Sequence, residues 1–131
     1  MEQSAIPSDV RRFISLRIPS VPYLEAILLL RDGAAQGWTA QQVAQRLYLD
    51  EASAARLLRQ LFDARIAVRV ANAGEADQYR YAPQPNGLKD MLDRLALAYS
   101  QHLIDVSTLI HLKANKKAQV FADAFVWKKE P

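Results

Sequence analysis

Between Thr39 and Leu61 the chain reads TAQQVAQRLYLDEASAARLLRQL, two short amphipathic helices separated only by the turn YLD. Thr39 followed three residues on by Gln42 forms a capping box, and Val43, Ala44 and Leu47 make the apolar stripe of the helix it starts. Asp50 is the N-cap of the second helix, which runs through EASAARLLRQLFDA and buries Ala54, Leu57 or Leu58, and Leu61 at the three-and-four spacing. Such a pair is either a compact piece of core with wet arginines or a unit that offers one helix to a partner.

The flanking sequence supplies the rest of a small helical domain. SDVRRFISL offers Ser8 as an N-cap and reads as a short first helix, stopped by Pro19. Ser20 then caps a second helix, with Pro22 in its first turn, that runs through YLEAILLLRDG to Gly33 and is apolar on most sides. Trp38, beside a helix start, suits a single-residue strand or an anchor over the core. After Ala64 the period becomes alternating, and IAVRV and QYRYA read as a hairpin around ANAGEAD. Nothing breaks the chain from Leu88 to about Lys113, which predicts one helix of about 40 Å at 1.5 Å per residue. Leu95, Tyr99, Leu103, Val106 and Ile110 lie along one stripe of that helix, and Leu92, His102 and Leu109 widen it.

With 131 residues, the chain is long enough for one domain with a real core. A net charge of +3 permits an acidic partner such as DNA without requiring one. There are no cysteines, so disulfides, thiolate metal sites and cysteine nucleophiles are excluded. His102 and His111 stand nine apart and share no helix face at metal-pair spacing, and the four glycines form no phosphate loop. Neither a metal, a cofactor nor an enzymatic activity is expected. The start MEQSAIPSDVRRF lacks a secretory pattern, and LEAILLL is too short to span a bilayer, so a cytoplasmic protein without a membrane partner is expected.

The order helix, short strand, helix, helix, hairpin resembles the winged helix-turn-helix domain of bacterial transcriptional regulators. The likeness covers Ser20 to about Tyr81, and WTAQQVAQRLYLDEASAARLLRQLFDARIAVRV is similar to the strand-to-wing segment of the MarR and PadR types. It implies a mainly α fold with a small β-hairpin: an N-terminal helical extension over 1–19, a winged domain over 20–83, and a long dimerisation helix with a basic tail over 84–131. Residues 50–64 would be the recognition helix and 66–81 the wing. Arg65 stands where such proteins often carry glycine, which points to a different helix ending, and Glu75 and Asp77 put carboxylates where a phosphate-gripping wing would carry cations.

On that scaffold the partner is double-stranded DNA. Ser53 and Arg56 are placed for base edges, and Arg46, Arg59, Arg69 and Arg80 for phosphates that set register. The long helix implies a homodimer through Leu92, Leu95, Tyr99, Leu103, Val106 and Ile110. The other reading is a protein-interaction module that has given up DNA. It would hold a protein partner with the long helix and the tail around Phe121, Phe125 and Trp127.

Overall fold

Two N-caps organise the middle of the chain as the sequence predicts. The Thr39 hydroxyl accepts from the Gln42 N–H at 3.2 Å, and the Gln42 side chain accepts from the Thr39 N–H at 3.0 Å, closing the capping box. In the computed structural model, which describes residues 5–70 and 74–112, the elements in chain order are six helices and one hairpin. They are α1 (Ser8–Arg17), α2 (Val21–Asp32), α3 (Ala40–Leu47), α4 (Glu51–Asp63), β1 (Ala67–Val70), β2 (Gln78–Tyr81), α5 (Leu88–Gln101) and α6 (Leu103–Leu112). The described chain forms two compact units: residues 22–96 make one, and residues 5–21 together with 97–112 make the other. The N-terminal helix shares its unit with residues 97–112, and the first part of α5 goes with the winged domain.

In the winged unit, α2 buries Tyr23, Leu24, Ala26, Ile27 and Leu30, α3 buries Val43 and Ala44, and α4 buries Ala54, Leu57, Leu58 and Leu61. Each large side chain taken fully out of water contributes about 1.5–3 kcal/mol, so the apolar stripe of α4 outweighs any cap in fixing that helix. The hairpin is antiparallel in the register Ala67↔Tyr81, Val68↔Arg80, Arg69↔Tyr79 and Val70↔Gln78. Trp38 adds a third, one-residue strand: its N–H donates to the Tyr79 carbonyl and its carbonyl accepts from the Tyr79 N–H, both at 2.8 Å. Its indole N–H also donates to the Gly33 carbonyl at 3.2 Å, and the ring is 4 % exposed. The single-residue strand and the core anchor are thus the same residue.

Helix endings depart from the sequence reading in an instructive way. Both α3 and α4 stop through a left-handed residue that is not glycine, Tyr48 at φ 59° and Arg65 at φ 64°. After α4 the Ile66 N–H reaches the Leu61 carbonyl at 2.9 Å and the Arg65 N–H reaches Phe62 at 3.0 Å. This is the Schellman arrangement, and Ile66 and Leu61, at the positions of its usual apolar pair, are both buried. The helix therefore ends as a glycine-capped one would, with Arg65 forced into glycine's conformation.

In the other unit, Ile6, Val10, Ile14, Ile18, Ala98, Val106 and Ile110 are buried. Ser8 is not the cap of α1: Pro7 occupies that position and makes no side-chain cap bond. Nor is there one unbroken helix from Leu88. The helix is interrupted at His102, between α5 and α6, although the His102 N–H still donates to Ala98 at 2.7 Å and the Val106 N–H to His102 at 3.0 Å. The Ser100 hydroxyl donates to the Leu97 carbonyl at 2.8 Å just before the break. The expected end at Lys113 and the tail residues Phe121, Phe125 and Trp127 lie outside the described residues. Among the described residues, no single helix is long and apolar enough to cross a membrane.

Candidate nucleic-acid interface

Asp50 sets where α4 begins and holds its first turn. One carboxylate oxygen accepts from the Ser53 N–H at 3.0 Å, and the other accepts from the Ser53 hydroxyl at 2.6 Å. The Ser53 hydroxyl, then its N–H, and to a lesser degree the charge of Arg56 hold the Asp50 carboxyl below the usual carboxylate range. Ser53, expected at a base edge, therefore has its hydroxyl proton committed to the cap. It is left with acceptor capacity only.

From this anchored end, Ala52, Arg56, Arg59 and Asp63 are exposed at helical spacing along α4, opposite the buried Ala54, Leu57, Leu58 and Leu61. Arg59 also lines a cleft of about 230 Å³ with Glu51 and Ala55 on α4, Thr39, Ala40 and Gln41 at the start of α3, and Ala76, Asp77 and Tyr79 on the wing side. Two carboxylates thus share the cleft with the guanidinium. The sequence signal for this was the spacing of Glu51, Ala55 and Arg59 on one helix face, which the linear reading did not connect to Asp77.

The remaining arginines divide by what they touch. Arg46 lies over the Trp38 ring, 5.4 Å from its centre. Arg69 sits 6.0 Å from the centre of the Phe62 ring and 3.8 Å from Asp77. Phe62 in turn meets Tyr79 edge to face, with ring centres 6.4 Å apart. Both guanidiniums are therefore engaged within the protein, as strand and helix aromatics draw them in. Arg80 is exposed on β2, and among the described residues neither its side chain nor that of Arg59 has a hydrogen bond, ion pair or ring contact. Tyr48, in the turn ahead of α4 and 94 % exposed, belongs to the same end of the helix and was not singled out by the sequence.

The residues expected at a dimer interface fall into two groups. Leu92, Leu95, Val106 and Ile110 are at most 1 % exposed in the single chain. Tyr99 is half-buried, and Leu103 is 52 % exposed. Leu97, Ile104 and Leu112 are the other exposed large apolar residues in the last two helices. Among the described residues no cluster of three or more metal-ligating side chains occurs.

No protein-family model matches the sequence, and no curated protein matches it significantly. Solved structures do match in shape. A mutant MepR of Staphylococcus aureus bound to an oligodeoxyribonucleotide superimposes with a TM-score of 0.54 at 9 % identity, covering 93 % of this chain and 91 % of that one. The adhesin competence repressor AdcR of Streptococcus pyogenes gives 0.51 at 13 % identity, with 92 % and 89 % covered. A further MarR family transcription regulator gives 0.53 at 20 % identity, with 94 % and 83 % covered. At these identities the likeness is one of fold, and the chain carries the winged helix-turn-helix fold of MarR-family transcription regulators.

Proposed function

We propose that this chain is a DNA-binding transcriptional regulator that acts as a homodimer on double-stranded DNA, without catalytic activity. The observation that carries the reading is α4: capped by Asp50, seated on the core by Leu57, Leu58 and Leu61, and exposing Arg56 and Arg59 on its outer face. A helix held in this way can enter a major groove about 12 Å wide with its early residues at base edges. A regulator of the same fold has been solved with an oligodeoxyribonucleotide, which supports the same partner here. In this reading Arg56 donates to base edges and Ser53 accepts beside it. Arg59 and Arg80 meet phosphates directly, whereas Arg46 and Arg69 do so only by leaving Trp38 and Asp77. A cytoplasmic location follows from the partner.

The winged domain spans residues 20–83 in this proposal, and the segment 84–131 holds the two copies together. Leu97, Leu103, Ile104 and Leu112, each more than half exposed, are the residues a second copy would cover. Sedimentation is expected to give a dimer at tens of micromolar, and a monomer there removes the homodimer. The same apolar residues, together with the acidic Glu75 and Asp77 on the wing, favour the second reading, a protein-interaction module that does not bind DNA.

A binding titration separates the two readings. Purified protein is titrated against the DNA upstream of its own gene and against a scrambled duplex, at two salt concentrations. A regulator should prefer the first by about a thousandfold or more. Absence of binding to any duplex at low salt leaves the interaction module.

A further inference from the structure

Tyr48 combines two features that the fold does not use. Its backbone is left-handed, at φ 59°, where a side chain clashes with its own carbonyl and glycine or asparagine is accommodated far more easily. Its side chain is 94 % exposed, the most exposed of the large hydrophobic residues in the described chain. The turn itself needs only backbone from this residue: the Tyr48 and Leu49 N–H groups both return to the Ala44 carbonyl and close α3. Packing therefore explains neither the ring nor the hydroxyl. A strained backbone carrying an unsupported aromatic side chain is a pointer to function.

The position says which function. Tyr48 lies two residues before Asp50, the N-cap of α4, in the turn between the two helices of the motif. When the second helix of such a pair enters the major groove and the first crosses the backbone, the turn between them lies at the groove edge, among sugars and phosphates. Tyrosine is one of the side chains that donate to phosphate oxygens, and its ring can lie against a deoxyribose. We propose that Tyr48 is a DNA-backbone contact: its hydroxyl donates to a phosphate at the edge of the groove that α4 enters. This rests on the DNA-binding reading above. The contact is neutral, so it positions the protein on any sequence and releases no counterion.

The test uses Tyr48→Asn, which keeps a residue tolerant of the left-handed backbone, and Tyr48→Phe, which removes only the hydroxyl. Each full-length variant is titrated by fluorescence anisotropy against the upstream and scrambled duplexes at two salt concentrations, and its urea midpoint is measured alongside. Tyr48→Asn should unfold at the wild-type midpoint or above it and bind both duplexes about tenfold more weakly, as expected for losing a hydrogen bond to a charged acceptor. The salt slope should be unchanged. Tyr48→Phe should reproduce most of that loss. If the wild type binds and Tyr48→Asn binds equally well, the assignment of Tyr48 is overturned while DNA binding stands. A lower urea midpoint for Tyr48→Asn overturns it too, since the residue then serves the fold. A wild type that binds no duplex overturns the DNA-binding reading itself and this contact with it.

Discussion

Arg31 at the end of α2 donates its Nε–H to a carboxylate oxygen of Asp93 on α5 at 2.9 Å, joining residues 62 positions apart. Lys89, one turn before Asp93 on the same helix, reaches the other oxygen at 3.2 Å. Arg31 first and Lys89 second hold the Asp93 carboxyl below the usual carboxylate range, and Asp93 raises the Arg31 guanidinium in turn. Because the folded-state value is lowered, the stabilisation is complete above the unfolded value of about 3.9 and disappears as pH falls through the folded one. Asp93→Asn should therefore lower the urea midpoint at pH 7 and make the fall in stability below about pH 4 shallower than in the wild type. Equal acid slopes in the two proteins would show that the pair contributes nothing.

Gly33 has no room for a side chain. A Cβ there would lie 2.6 Å from Cζ2 of Trp38. That ring cannot step aside, because its indole N–H is bonded to the Gly33 carbonyl and its backbone is paired in both directions with Tyr79. Gly33→Ala is expected to cost about 1–3 kcal/mol, the range for overpacking a core. Trp38 fluorescence would report the displaced ring, and an unchanged spectrum with unchanged stability would refute the clash.

Arg65→Gly should do the opposite. The left-handed position that ends α4 is already formed and hydrogen-bonded, so glycine relieves the backbone strain without altering a contact. Part of the gain is offset by the greater freedom of glycine in the unfolded chain. A net stabilisation of about 0.5–1 kcal/mol in urea unfolding is expected. A loss would mean that the Arg65 side chain holds the helix end.

What the sequence made legible was periodic or local. The capping box at Thr39, the cap at Asp50, the α4 stripe and the alternation of the hairpin each depend on residues within a few positions of one another, where side-chain chemistry dictates the backbone directly. The division of α5 from α6 was not legible, because no proline or glycine marks it. At the candidate site, the exposure of Arg56 and Arg59 followed from helical period. The capture of Arg46 by Trp38 and of Arg69 by Phe62 and Asp77 did not, since each needs strand or helix partners brought together by the fold. Leu92 and Leu103 illustrate the same limit. Both lie on the broad apolar face of one helical pattern, and only packing decides that the first is buried and the second wet.

The arginines should separate by substitution according to these contacts. Arg56→Ala removes a base-edge donor and should cost about 1–3 kcal/mol at the preferred site, with less effect on a scrambled duplex. Arg59→Ala should weaken both duplexes alike and reduce the salt slope by about one, because one fewer counterion is released. Neither should shift the urea midpoint by more than about 0.5 kcal/mol of stability, since both residues are exposed and away from the caps. Arg46→Ala differs, because the guanidinium stacks on Trp38: it should also lower stability, by about 0.5–1 kcal/mol for an exposed cation–π contact. Asp77→Asn removes the carboxylate that pairs with Arg69 and shares the cleft with Arg59, so Arg69 is freed towards phosphate and a negative charge leaves the neighbourhood of Arg59. Binding to either duplex should tighten and the salt slope should steepen. If Asp77→Asn leaves affinity and slope at their wild-type values while Arg56→Ala still weakens specific binding, DNA meets α4 alone and the wing stands clear of the backbone.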